Sequence, residues 1–322
     1  MTDIAELDQE QAGGRFAELV ARLSRQSVEK HFDAYADITW DDPDWAIDTS
    51  DPRWELPSDA PLAGTTWYQS LPAETRSRLG LHLIVSNMKA GLQFENILER
   101  GLLEYAFALP DRSPEFRYAY HEVIEESQHS LMFQEFVNRS GLDAPGLTWD
   151  LRLGSRVVVQ MARRFPAMFF VFVLGGEDPI DHVQRSTLRS GRELHPLLER
   201  IMRIHVTEEA RHLSFARQYL RHHVPQLSAG RRRALTVQAP VVLATMASVM
   251  MRPPRHIVRA YDIPDDALRQ AYGPGTPSRE QVRESLRKVR SLLVDLGLVT
   301  RVTKRLWRAF DIWEEPVPGP TR

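Results

Sequence analysis

The chain has 322 residues, 43% of them apolar, enough to build a substantial core in one large domain or two. Its formal net charge of −2 offers no electrostatic case for binding nucleic acid or an anionic membrane. It has no cysteine, which excludes disulfides, thiolate nucleophiles, Cys-ligated zinc and iron–sulfur clusters together.

The acidic start, Met1–Glu10, lacks the apolar stretch of a secretory signal. The longest strongly apolar run, Phe165–Gly176, is too short to span a bilayer, so a cytoplasmic protein without a membrane segment is expected. A helix over Gln11–Phe32, with Phe16, Leu19, Val20 and Leu23 as its stripe, is expected to pack on the outside. Trp40–Leu62 carries three Trp, Pro43, Pro52, Pro57, Pro61 and many Asp, and reads as an irregular arm anchored by its aromatics. A long helix begins at Pro72, with the stripe Leu81, Ile84, Met88, Leu92, Glu95, Leu98 and Leu102, and ends near Leu109–Pro114. The next, Pro114–Arg139, lines up Tyr118, Glu122, Glu126, His129, Phe133 and Phe136 and stops at Ser140-Gly141. Leu147–Arg164 is amphipathic. Phe165 to about Leu188 is apolar up to Gly175-Gly176, and Pro179 predicts a kink or bulge beside Glu177. The connection Ser190–Pro196 leads into a helix that ends before Pro225. Ala229–Met251 follows, with a kink expected at Pro240, then one helix over Ser278–Leu296 and a Trp-containing tail. Arg231-Arg232-Arg233 reads as a solvated helix start.

His205, Glu209 and His212 fall at i, i+4 and i+7, on one helix face. That face continues through Leu198, Ile201, Phe215 and Tyr219, so it is buried, and two imidazoles with a carboxylate there call for a strong partner such as a metal ion. The spacing Glu-x-x-His occurs twice, at Glu126/His129 and Glu209/His212, and chance alone supplies roughly one, so placement has to decide. The midpoint of Glu95 and Glu126 lies inside the first helix–helix connection, and that of Glu177 and Glu209 is Glu193, inside the second. Each arm is about 16 residues, or roughly 24 Å of helix. Each hairpin therefore sets a lone Glu level with a Glu-x-x-His.

Pairing the hairpins predicts an all-α fold: a ferritin-like four-helix bundle core over 72–224, with an N-terminal helix and arm over 1–71 and further helices over 225–322, in a single domain. One Glu from each of two helices and a Glu-x-x-His from each of the other two is a carboxylate-bridged di-iron arrangement. Four carboxylates balance two divalent ions, and imidazole and carboxylate donors suit iron, with manganese or a mixed pair left open. Glu122, Asp181 and His182 are expected to support the ligands. Glu125 and Glu208 sit beside ligands in sequence and read as supporting or solvated, whereas His121, His222 and His223 read as peripheral. Met88, Leu92, Phe133, Phe169 and Phe170 are the expected cavity lining, being apolar neighbours of the ligands by helical spacing.

At these residues the chain resembles the p-aminobenzoate N-oxygenase family of ferritin-like di-iron oxygenases. The mark is the extra histidine of His205-x-x-x-Glu209-x-x-His212, and the likeness covers roughly Pro72–Val224. The resemblance implies a metal ligand set of Glu95, Glu126, His129, Glu177, His205, Glu209 and His212. It also implies reductive activation of O2 through a peroxo di-iron species that oxygenates an amine nitrogen of a small molecule. The acidic run Glu177-Asp178-Pro179-Ile180-Asp181 departs from the pattern expected of arylamine oxidisers. Lacking cysteine and any flavin motif, such a protein draws electrons from a separate reductase or ferredoxin. C–H hydroxylation or desaturation by the same core, or non-enzymatic ferritin-like iron binding, are the alternatives, and a homodimer is one assembly open to the chain.

Overall fold

A computed structural model describes residues 4–315; Met1–Asp3 of the acidic start and the end of the tail beyond Glu315 lie outside the described residues. The elements in order are α1 (Ile4–Glu29), α2 (Thr66–Gln69), α3 (Ala73–Phe107), α4 (Pro114–Ser140), α5 (Trp149–Arg164), α6 (Pro166–Arg189), α7 (Pro196–His223), α8 (Ala229–Met250), α9 (Arg255–Ala260), α10 (Asp265–Tyr272), α11 (Pro277–Ser285), α12 (Arg287–Asp295) and α13 (Lys304–Ala309). No strand occurs among the described residues, and the fold is all-α. The hairpins α3–α4 and α6–α7 pair as the four-helix core. Proline supplies the first turn of α4, α6 and α7, where its missing N–H is not needed. Gly141 ends α4 in the left-handed region, at φ 63°.

The hairpins meet closely because small residues stand where large ones cross. A side chain at Gly176 would collide with the Phe94 ring and one at Gly101 with the Phe169 ring, so these glycines let α6 lie against α3. Gly175 likewise admits Leu243 of α8. The paired glycines before Glu177 thus set that carboxylate in the middle of the bundle. Pro179 lies inside α6, which runs on as helix to Arg189 without the one amide that proline lacks. Pro240 is buried inside an equally unbroken α8.

The arm is more ordered than its composition suggests. It repeats Asp-Pro-x-Trp, at Asp42–Trp45 and Asp51–Trp54, and each copy makes a 3-10 turn whose Asp side chain accepts the backbone N–H two residues on. Trp54 is buried, stacks on His195 at 4.3 Å and meets Phe136 edge-on at 6.1 Å. Its carbonyl comes so close to Gly80 of α3 that a Cβ would not fit, and Arg192 donates to the carbonyls of Arg53 and Glu55. One turn of the arm therefore fastens α3, α4 and the α6–α7 connection together.

At the other end of the chain, α8, α11 and α12 cover α6, and one apolar cluster runs from Phe16 of α1 to Ile312. The single helix expected over Ser278–Leu296 is two, α11 and α12, broken at Leu286, whose fully buried side chain is held in that cluster. α9, α10 and α13 are short helices where no periodic signal was expected. By length and hydropathy the stretch opening with α8 is the one described helix that could cross a membrane. In the folded chain Leu235, Ala239, Leu243 and Ala247 of α8 bury in the core, and an apolar core helix passes the same test. Arg232, expected in solvent, reaches back to the carbonyls of Val224 and Leu296.

Candidate metal centre

Glu95 of α3, Glu126 and His129 of α4, Glu177 of α6, and His205, Glu209 and His212 of α7 are all fully buried and converge midway along the bundle. His129 Nδ1 lies 2.9 Å from Glu126 and 3.7 Å from Glu209. His212 Nδ1 lies 2.9 Å from Glu126 and 3.1 Å from Glu209, so these two carboxylates stand between the two imidazoles. His205 Nε2 approaches Glu95 at 3.6 Å and Glu209 at 3.9 Å. Three overlapping groups bring ligand atoms close enough to share an ion: Glu95, His129 and His205; Glu126, Glu209 and His212; Glu177, His205 and Glu209.

The donor set fits a pair of metal ions on two independent counts. Both carboxylate oxygens of Glu95 and of Glu177, and both ring nitrogens of His205, are buried without a hydrogen-bond partner. Each such orphan costs about 1–3 kcal/mol, a cost a coordinated cation removes. The second count is charge. Burial and the neighbouring carboxylates push Glu95 and Glu177 well above the usual carboxylate range, and burial and Glu126 raise Glu209. Burial opposes protonation of His129, yet its hydrogen bonds to Glu126 and Glu208 push it up to about 10. His212 is raised well above the ordinary range against the same opposition, by Glu126 and Glu209. Each of these shifts favours the protonated form, the same offset of buried negative charge that bound cations would supply.

The outer nitrogens of the histidines carry a feature the sequence reading left unresolved. His129 Nε2 donates to Glu208 at 2.9 Å, and His212 Nε2 donates to Glu125 at 2.7 Å. The runs are Glu125-Glu126-Ser127-Gln128-His129 and Glu208-Glu209-Ala210-Arg211-His212, and the leading Glu of each reaches across to the histidine of the other. A donor held on Nε2 leaves Nδ1 as the ligand atom and fixes the ring. Arg211 spans both outer carboxylates, 2.9 Å from Glu125 and 3.5 Å from Glu208. Burial opposes it, but the hydrogen bond from His212 and the Arg211 charge hold Glu125 down to about 2. The chain leaving α1 closes this end, with the Phe32 N–H donating to Glu208 and the Ala34 N–H to Gln128. The doubled Glu before each Glu-x-x-His was the available signal; nothing in the local sequence marks Arg211.

Three expected supports stand differently. Asp181 is buried but pairs with Arg185 and Lys288, and neighbouring Asp178 pairs with Arg217, so the acidic run beyond Glu177 is neutralised by its own cations and touches no ligand. His182 is half-buried. Glu122 is fully buried with both oxygens unpartnered, and burial pushes it up to about 8 against the pull of His212. Of the expected lining, Met88, Leu92 and Phe133 belong to an apolar cluster on one side of the ligands, with the Phe133 ring tilted against His205 at 5.3 Å. Phe169 and Phe170 belong to the cluster on the other, packed against α3 and Tyr219. The five do not share one wall, because the ligand layer divides them.

Fold and centre together define a class: a ferritin-like helical bundle whose buried carboxylates and histidines are compatible with a metal site. The family model for p-aminobenzoate N-oxygenase AurF matches residues 15–297, and the chain belongs to that family. The match takes in most of α1, the arm and the C-terminal helices through α12 as well as the bundle. The chain is also 40% identical over 301 residues to a protein of Mycobacterium bovis and to one of Mycobacterium tuberculosis, both described only as uncharacterized, over 94% of this chain and 88% of each relative. No solved structure gives a significant match.

Proposed function

We propose that the chain is a non-haem di-iron oxygenase that oxygenates the amine nitrogen of a small molecule. The observation that carries the reading is the third imidazole. His205, buried with both nitrogens unpartnered, adds to four carboxylates and two histidines in a member of the AurF family. Glu95, Glu126, Glu177, Glu209, His129, His205 and His212 would hold two iron ions, and the iron would supply the redox equivalents for reducing O2. Iron is preferred to manganese because three imidazoles enrich the site in nitrogen donors. The four carboxylates neutralise the two dications and the outer Glu125–Arg211–Glu208 bridge keeps both flanking rings oriented. The apolar clusters on either side exclude water. The balance is one amine, one O2, two electrons and two protons giving one hydroxylamine and one water. The electrons come from a separate donor, a reductase or a ferredoxin, since the chain has no cysteine to hold a cluster of its own.

The test is turnover of the iron-loaded protein with a chemical reductant, 18O2 and a panel of arylamines and aliphatic hydrocarbons, read by mass spectrometry. One 18O on nitrogen, lost in Glu95→Ala, supports N-oxygenation. Hydroxylated or desaturated carbon with the amine untouched would establish the C–H reading instead. Ferric iron accumulating with no organic product would point to iron handling.

A further inference from the structure

A second charged feature lies away from the bundle centre, on α9, α10 and the start of α11. A cleft of about 540 Å³ is lined by Arg252, Arg255, Arg259, Arg269 and Arg279, with Asp265 as its one acidic lining residue. The helices impose this gathering. Arg255 and Arg259 are i, i+4 on α9, and Asp265, Arg269 and Tyr272 fall at i, i+4 and i+7 on α10. α9 and α10 are held in place by Ile257, Ile263 and Ala267, which bury against Leu79 of α3 and against Leu62 and Tyr68 before it.

Five arginines, four of them exposed, line this one cleft, and like charges at i, i+4 destabilise a helix on their own. Carboxylates ordinarily relieve this. Among the described residues, Arg252, Arg255, Arg259 and Arg269 have no carboxylate within 4.0 Å. Arg279 has only Asp311 at 3.9 Å, which Arg283 already holds at 2.9 Å, and its Nε is buried without a hydrogen-bond partner. Arg252 spends one donor on the Tyr272 carbonyl. Burial and the neighbouring Arg279 lower the Arg252 pKa, as expected where cations crowd without a counterion. Between the charges, Val258, Leu268 and Tyr272 give the cleft an apolar wall.

We propose that this cleft is a binding site for a diphosphate-bearing small molecule, its phosphates held by the arginines and any organic portion lying on Leu268 and Tyr272. Forked guanidiniums match phosphate oxygens two at a time, and a diphosphate brings enough negative charge to balance several of them, which one carboxylate does not. The cleft's volume, on the scale of small-molecule sites, admits such a ligand. The site is separate from the metal ligands, none of which lines it.

The full-length, metal-loaded protein would be titrated calorimetrically with inorganic pyrophosphate and with ADP, at salt of about 50 and about 300 mM. Saturable binding of either, weaker at high salt and reduced at least about 10-fold (about 1.4 kcal/mol) in Arg252→Gln/Arg259→Gln, supports the site. Tighter binding of ADP than of pyrophosphate assigns an organic diphosphate, and equal binding assigns the free anion. Arg255→Gln/Arg269→Gln serves as a second variant if the first does not fold, and melting temperature and metal content check both. Absence of heat up to about 5 mM of either ligand, or equal affinity in the variants, overturns the proposal. So does saturable binding of a poly-glutamate peptide where both phosphates fail, since the surface would then suit an acidic protein.

Discussion

Two residues that bind no metal set the character of the centre. Glu125 and Glu208 each hold the histidine of the opposite helix, and Arg211 ties them to one another, so the two halves of the site are cross-braced. Replacing Arg211 by Gln leaves two buried carboxylates facing each other without their shared cation. Metal affinity is then expected to fall about 10–100-fold, read by chelator competition; unchanged affinity would remove Arg211 from the account. Protonation gives a second consequence at this scale. Glu95, Glu177 and Glu209, raised by burial and mutual repulsion, and His129 and His212, raised by their carboxylate neighbours, are all shifted toward their protonated forms when no ion is bound. Metal must displace those protons, so affinity is expected to rise with pH and loading to acidify a weakly buffered solution. A pH-indicator dye reads the release, and loading without it would show that the ligands are already deprotonated.

The elements matter through how tightly they cross. Trp54 is the meeting point of α3, α4 and the α6–α7 connection, so Trp54→Ala is expected to cost about 3–5 kcal/mol in urea unfolding. Gly80→Ala, which drives a methyl into the Trp54 carbonyl, is expected to cost about 1–3 kcal/mol. Losses below about 0.5 kcal/mol in both would mean that the arm does not clamp the hairpins. Much of this level was legible in advance. Glu95 interrupts an apolar stripe, and its equal distance from the turn with Glu126 is enough to level them, since helix rise is constant. Glu177 follows by the same count. What sequence spacing did not reveal is what crosses between helices. Glu125 and Glu208 look like solvated neighbours of ligands on their own helices, and only packing of α4 on α7 turns each toward the other's histidine. Asp181 differs for the opposite reason: it lies one turn past Glu177 and is buried, but it pairs with Arg185 and Lys288 instead of a ligand. The helix expected over Ser278–Leu296 is interrupted at a single residue, the buried Leu286, across which the i to i−4 hydrogen bonds continue.

At the scale of the molecule, the bundle buries seven candidate ligands at its centre and surrounds them with apolar clusters, an arrangement whose stability is expected to depend on what occupies it. An ion that binds only the folded state stabilises it by mass action, so chelation of the loaded protein is expected to lower its melting temperature, with recovery on adding metal back. A melting temperature indifferent to chelation would make the convergence structural rather than functional. The central claim, that these seven side chains form one dinuclear site, is tested most directly by anaerobic titration of the metal-free protein with Fe(II), following bound iron to its end point. The account predicts saturation at about two ions per chain, with His212→Ala failing to reach it. An end point of one or none, or the same end point in His212→Ala, would contradict it.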